Sequence, residues 1–178
     1  MSKIRTGRAI IHFPYKSKST KRTYNSIILG LQRINKEYFL PGGQFDSKKD
    51  KSTLDTVVRE VDEEFGLKAL KSTARKAFTF HGNVCVHDIY VLEAKGTLKL
   101  DTDELLGVGF FNAGRHNQIP KEYLSRHVQA LTSYYSFPAL WNKRRTSIKI
   151  PGYYFVGNKD FRMIDWMTQR SLFINRRL

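Results

Sequence analysis

Only one cysteine, Cys85, occurs among the 178 residues, so no intramolecular disulfide can form and the chain suits a reducing cytoplasm. No apolar run approaches the roughly 20 residues that span a bilayer. The apolar stretch at residues 9–13 is also too short for the core of a signal peptide. No membrane association is therefore expected. Internal repeats and low-complexity segments are lacking as well. Acidic residues are scarce: 16 Asp and Glu stand against 31 Lys and Arg, a formal net charge of +15. An excess of this size favours anionic partners, either a phosphorylated small molecule or RNA. The imbalance is uneven, because residues 1–24 hold Lys3, Arg5, Arg8, Lys16, Lys18, Lys21 and Arg22 and no acid. Bases also dominate beyond Lys143, where only Asp160 and Asp165 oppose them, so most of the acids lie between the two basic ends.

Those acids include a patterned group. Glu60, Glu63 and Glu64 are spaced 0, +3 and +4, which on a helix brings them to one face, a few ångströms apart. The helix is expected from Leu54, Val57, Val58, Val61 and Phe65, an apolar stripe at helical period. Ser52 or Thr53 can cap its start, Asp55 suits the positive end of its dipole, and Gly66 supplies its stop. The acidic triplet is then expected on the flank or solvent side. Like charges so close repel, and a hard divalent cation bound through oxygen is the natural compensation.

Upstream lies the turn Leu40-Pro41-Gly42-Gly43, and the run Arg59-Glu60-Val61-Asp62-Glu63-Glu64-Phe65-Gly66-Leu67 follows it after a polar loop. Together these resemble the signature of the Nudix hydrolases, over roughly residues 5–135. The second half of the signature, residues 59–67, matches completely. The first half does not. The family pattern places a glutamate six residues after the motif glycine and eight before the arginine. Here those positions hold Lys49 and Lys51, because the segment from Gly43 to Arg59 is two residues longer. Asp50 is the nearest carboxylate that can stand in.

The resemblance implies an α/β/α sandwich with a mixed β-sheet at residues 1–136. Residues 137–178 lie outside the resemblance and are read as a basic, aromatic C-terminal extension, expected to pack on the domain or on a neighbouring subunit of a homo-oligomer. It implies a pyrophosphohydrolase that uses magnesium, or manganese in its place, to cleave a phosphoanhydride of a nucleoside diphosphate linked to another moiety. A nucleotide, a nucleotide sugar, a dinucleoside polyphosphate or an RNA end would qualify. Glu60, Glu63, Glu64 and the carbonyl of Gly43 are the implied metal ligands, with Glu60 and Glu63 also acting on the attacking water. Arg59 orients a carboxylate through its rigid fork. Glu104, or its neighbour Asp103, is the candidate additional base from a later loop. Arg33 and Arg75 are candidate substrate contacts. The competing reading is a Nudix-like sensor with weak or no turnover that binds nucleotide or RNA, supported by Lys48, Lys49 and Lys51 in the altered loop.

A coarse reading of the rest gives strands at residues 7–13, 26–31, 37–40, 76–80, 84–93 and 105–111, with Lys95-Gly96 ending the fifth. A second helix runs from Pro120 to Tyr134 or Tyr135. In the extension, residues 153–156 suit a strand and residues 161–173 a helix. The five histidines show no zinc-ligand spacing, and Cys85, in an apolar segment, reads as a core residue.

Overall fold

The computed structural model describes residues 3–16, 23–112, 121–134 and 147–149. The first strand, β1 (Ile4–Lys16), alternates its burial in a way that fixes the layers. Ala9 and Ile11 join one core while Ile10 joins another, as the period of two demands of a strand covered on both faces. The first core holds Val57, Val61 and Phe65 of helix α1 (Thr53–Phe65); the second holds Val128 and Leu131 of helix α2 (Arg126–Tyr134). One helix therefore covers each face of the sheet, giving an α/β/α sandwich.

Among the described residues the sheet has eight strands. Its main path runs β3 (Tyr38–Phe39), β2 (Thr23–Gln32), β1, β6 (Cys85–Thr97), β5 (Lys68–His81). Strand β1 pairs with β6 in parallel from Ile4 to Ile11, and with β2 antiparallel from His12 onward. On its other edge Thr6, Gly7 and Arg8 pair with β4 (Gly42–Gln44). Strand β7 (Leu105–Asn112) lies against β2, and β8 (Ser147–Lys149) against the end of β6. The parallel pairs among antiparallel ones make the sheet mixed.

Four local expectations need correction. Strand β5 begins at Lys68 rather than Lys76; its polar first half is held by pairing with β6 at Lys95, Ala94 and Glu93, not by β-propensity. Strand β6 passes through Lys95-Gly96 to Thr97, because Gly96 takes a positive φ of 123° that bends the strand without ending it. The turn at residues 41–43 enters a strand, β4, rather than a loop. The second helix is interrupted: Lys121–Tyr123 form a 3₁₀ turn, Leu124 bridges to Tyr38 in sheet fashion, and α2 starts only at Arg126. The readings at Pro120, 153–156 and 161–173 fall outside the described residues. Of the extension, only β8 is described; it brings Ile148 into the first core.

Candidate active site

Helix α1 forms where its local signals place it. Ser52 caps the start, its hydroxyl accepting from the Asp55 amide at 3.2 Å. Gly66 ends it at φ 61°, its N–H donating to Asp62 O while the Leu67 N–H reaches Val61 O. Val57, Val61 and Phe65 are buried, each stabilising the fold by about 1.5–3 kcal/mol through removal from water. The helix docks on β1 at Gly7, where an added Cβ would lie 2.0 Å from Thr53 O. Its first turn is tied to the sheet by Asp88, which accepts from Thr53 Oγ1, Thr79 Oγ1, Arg5 Nη2 and Lys76 Nζ. Burial opposes the charge on Asp88, but these donors outweigh it and hold the carboxyl well below the usual range.

Near the other end of α1, β4 meets the acidic face. The Gly43 α-carbon packs on the Glu60 carboxylate so closely that a Cβ would sit 2.3 Å from Glu60 Oε1. Glu64 Oε2 accepts the Gly42 amide at 3.3 Å. Gly42 itself has φ 131°, and a Cβ there would strike Gly7 O. Both glycines of the turn are therefore required by close approach, one to a strand and one to a carboxylate.

Contrary to the flank position expected for the triplet, Glu64 is buried, at 6 % exposure. The reason is tertiary: β4 folds over Glu64, and the Gly42 amide at its start donates to Glu64 Oε2. Burial raises its pKa to about 8, against the lowering effects of the Arg8 charge and the Gly42 amide; Glu60 and Glu104 add to the rise through space. Burial also raises Glu60, with Arg59 opposing. Glu63 remains on the open side of the helix, its side chain about half exposed.

Arg59 organises the group. Its Nε and Nη2 form a fork on Asp50, at 3.0 Å to Oδ1 and 2.9 Å to Oδ2. Its Nη1 bridges Glu60 Oε1 at 2.8 Å and Glu63 Oε2 at 2.9 Å. Asp50 is itself buried and accepts further from Thr56 Oγ1 and the Asp46 amide. The hydrogen bonds from Arg59 lead in lowering its pKa to about 2, while burial opposes them. The carboxylate absent at residues 49 and 51 thus has a counterpart at 50, carried to Arg59 by the turn that joins the Asp50 amide to Asp46 O.

The remaining sequence candidates are dispersed around this centre. Glu104 is exposed at the start of β7 and close enough to Glu64 to act on it electrostatically. The Asp103 amide is turned to Asp101 Oδ1. Arg33 donates from Nε and Nη2 to Thr102 O, which fastens the loop before Glu104. Arg75 is exposed on β5, opposite Val91. Lys48, Lys49 and Lys51 are exposed, and among the described residues none forms an ion pair with the three glutamates. Sequence reasoning missed Arg8, His87 and His127. The available signal was Arg8, a charge immediately before the apolar run Ala9-Ile10-Ile11 of β1.

The donor set suits a hard divalent cation: carboxylates of Glu60, Glu63 and Glu64 beside the main chain of Gly42 and Gly43, all oxygen. Arg59 Nη1, a positive group shared by Glu60 and Glu63, shows that two of these carboxylates can hold one cation between them. Among the described residues no three acidic, histidine or cysteine side chains already converge on a single point. Arg59 engages one oxygen of each of Glu60 and Glu63, Oε1 and Oε2 respectively, and leaves the other oxygen of each unclaimed by it.

No protein-family model and no curated protein matches the sequence. Solved structures match its shape. A MutT NUDIX hydrolase from Burkholderia pseudomallei is 18% identical with a TM-score of 0.57, over 75% of this chain and 98% of that one. An ADP-ribose pyrophosphatase from Streptococcus suis is 20% identical with a TM-score of 0.52, over 84% and 100%. The NUDIX domain of Shewanella oneidensis NrtR, complexed with ADP ribose, is 16% identical with a TM-score of 0.51, over 75% and 86%. The chain has the Nudix fold. Among its described residues no helix is long and apolar enough to cross a membrane.

Proposed function

We propose that this protein is a divalent-cation-dependent hydrolase of the Nudix type, acting on a phosphoanhydride of a nucleoside diphosphate joined to a second moiety. The observation that carries this reading is the meeting of Glu60 and Glu64, one helical turn apart, with the Gly42-Gly43 bend. A general acidic surface has no use for a glycine under one carboxylate or for burial of another. A pyrophosphatase for ADP-ribose and a domain holding ADP ribose among the similar structures support a nucleoside diphosphate as the ligand class.

Magnesium held by Glu60, Glu63 and Glu64, with the Gly43 carbonyl, would neutralise phosphate charge and acidify a bound water. The chain's own groups divide the remaining work. Arg59 keeps Glu60 and Glu63 in a fixed relation, and Asp50 keeps Arg59 in place. Glu64, enclosed and raised, would be favoured as the carboxylate by a cation beside it. Glu104, on an exposed loop in electrostatic reach of Glu64, is the candidate to take the proton from water. Arg33 serves this site by fixing that loop rather than by touching substrate, and Arg75 stays a candidate contact only for an extended substrate.

The test is hydrolysis of a panel of nucleoside diphosphate derivatives with magnesium or manganese, wild type against a Glu63→Gln/Glu64→Gln double variant. The variant is expected to lose at least about 100-fold in rate. Turnover that survives it would sink the assignment. Nucleotide binding without turnover on any member of the panel would favour the sensor, a reading that draws on Arg59 already occupying the cation's place between Glu60 and Glu63.

A further inference from the structure

Leu40 and Pro41 join β3 to β4, and both are buried together with Gly42. A buried connection must find a partner for each of its main-chain polar groups. Strand β1 and helix α1 supply most of them. Arg8 Nη1 donates to Leu40 O at 3.2 Å and also to Gly42 O, the Ala9 amide donates to Pro41 O at 2.8 Å, and Glu64 Oε2 accepts the Gly42 amide. Pro41 has no N–H. Of these groups the Leu40 N–H alone turns to α2, where His127 Nε2 accepts it at 3.1 Å. The two ends of the bend therefore belong to different layers. Leu40 packs in the second core with Val128 and Leu131 of α2, whereas Gly42 and Gly43 lie against Glu64 and Glu60 of α1. Pro41, between them, has a φ fixed by its ring, so a displacement of Leu40 is passed on to the glycines.

Helix α2 is anchored without this bond. Val128 and Leu131 enter the core, the Ser125 N–H donates to Tyr38 O at 2.9 Å, and Leu124 bridges to Tyr38. His127 is buried, and a residue needed only to fill that space would be better apolar, since a buried polar ring is disfavoured unless it is hydrogen-bonded. Its ring meets His87 of β6, with centres 5.0 Å apart, and Ser125 Oγ lies 3.3 Å from Nδ1 and 3.1 Å from Nε2. To accept the Leu40 N–H, Nε2 must carry no hydrogen, which places the ring hydrogen on Nδ1. Burial first, then the Arg8 charge and His87, hold the ring in that neutral form. What an imidazole adds at this position is an acceptor aimed at the bend.

We propose that His127 is a positioning residue for the cation site, holding the Gly42-Gly43 bend against Glu60 and Glu64 from the opposite face of the sheet through the Leu40 N–H. This rests on the reading of that site as one for a divalent cation. The test uses the full chain and manganese alone, with affinity read from the EPR signal of the free ion. His127→Leu, which fills the space without an acceptor, is expected to bind manganese about tenfold or more weakly. His127→Gln, whose amide oxygen can reach the place of Nε2, is expected to restore affinity to within about threefold of the wild type. Wild-type affinity in His127→Leu overturns the proposal. So does an equal loss in both variants, which would leave packing as the role. Should His127→Leu not fold, the wild type decides by NMR with isotope labelling: the His127 Nε2 resonance is coupled across the hydrogen bond to the Leu40 amide and shifts on saturation with magnesium. A missing coupling or an unmoved resonance overturns the proposal. A wild type that binds manganese but hydrolyses nothing refutes the hydrolase reading, and the same variants still judge His127. Undiminished manganese binding and turnover in His127→Leu refute the role of His127 and keep the hydrolase reading. A wild type that binds no manganese overturns both.

Discussion

Asp50 shows how a single carboxylate can serve in a place the family pattern does not allot to it. A shorter side chain on a longer loop reaches Arg59 because the Asp46–Asp50 turn folds the added residues out of the way. Among the described residues Asp50 touches none of the glutamates, so on the proposed function its effect would pass through Arg59, as that of a positioning residue. Asp50→Asn keeps the shape and removes the charge that the fork grips. We expect manganese affinity and turnover to fall about 10–100-fold, as for other partners of metal-ligating side chains; unchanged values for both would refute the role. The same carboxylate bears on acid stability. Its pKa is about 2 in the folded chain against 3.8 as the ordinary value, so the folded state binds the proton less readily than the unfolded one. The stabilisation is complete above about pH 4 and is lost as the pH falls towards about 2. Urea unfolding at pH 6 and at pH 3 should therefore show a larger loss for the wild type than for Asp50→Asn. A wild-type loss no larger than the variant's would contradict the sign. The glutamate spacing was legible in the sequence because helical offsets are local; the burial of Glu64 was not, since it depends on β4 folding over it.

At the scale of elements, α1 was legible almost to the residue: stripe, cap and terminal glycine all act within a few positions of one another. What escaped the sequence is what distant partners impose. Lys68 to Arg75 has no strand pattern and becomes one by pairing with β6, and α2 begins late because Leu124 is held against Tyr38. The contact of α1 with β1 is a further long-range condition, and Gly7 is where it is most demanding. A methyl group there would meet Thr53 O at 2.0 Å and Val57 Cγ2 at 2.9 Å, and main-chain oxygen cannot move without lifting the first turn of the helix. Gly7→Ala should cost roughly 1–3 kcal/mol, typical of overpacking. The urea midpoint would fall with the slope unchanged. A midpoint equal to that of the wild type would mean that helix and strand are not in the contact described.

Over the whole molecule, the site and the charge distribution pull in opposite directions. The acidic face of α1 gathers carboxylates that would repel a diphosphate, while the chain as a whole carries +15. Part of the basic excess in the described region is already committed: Arg5 and Lys76 to Asp88, Lys71 to Asp55, Arg59 to Asp50, Glu60 and Glu63. On the proposed function the rest would act as a field that raises the concentration of anions near the surface and speeds encounter. That long-range contribution is screened over about 10 Å at 0.1 M salt, whereas contacts inside the site are screened far less. The two can therefore be separated by ionic strength. Between about 20 and about 300 mM salt, kcat/KM for an anionic substrate should fall several-fold while kcat holds nearly constant. Steady-state kinetics across that range checks this. A fall in kcat with kcat/KM unchanged would place the salt-sensitive step inside the carboxylate cluster and deny the basic surface its role in capture.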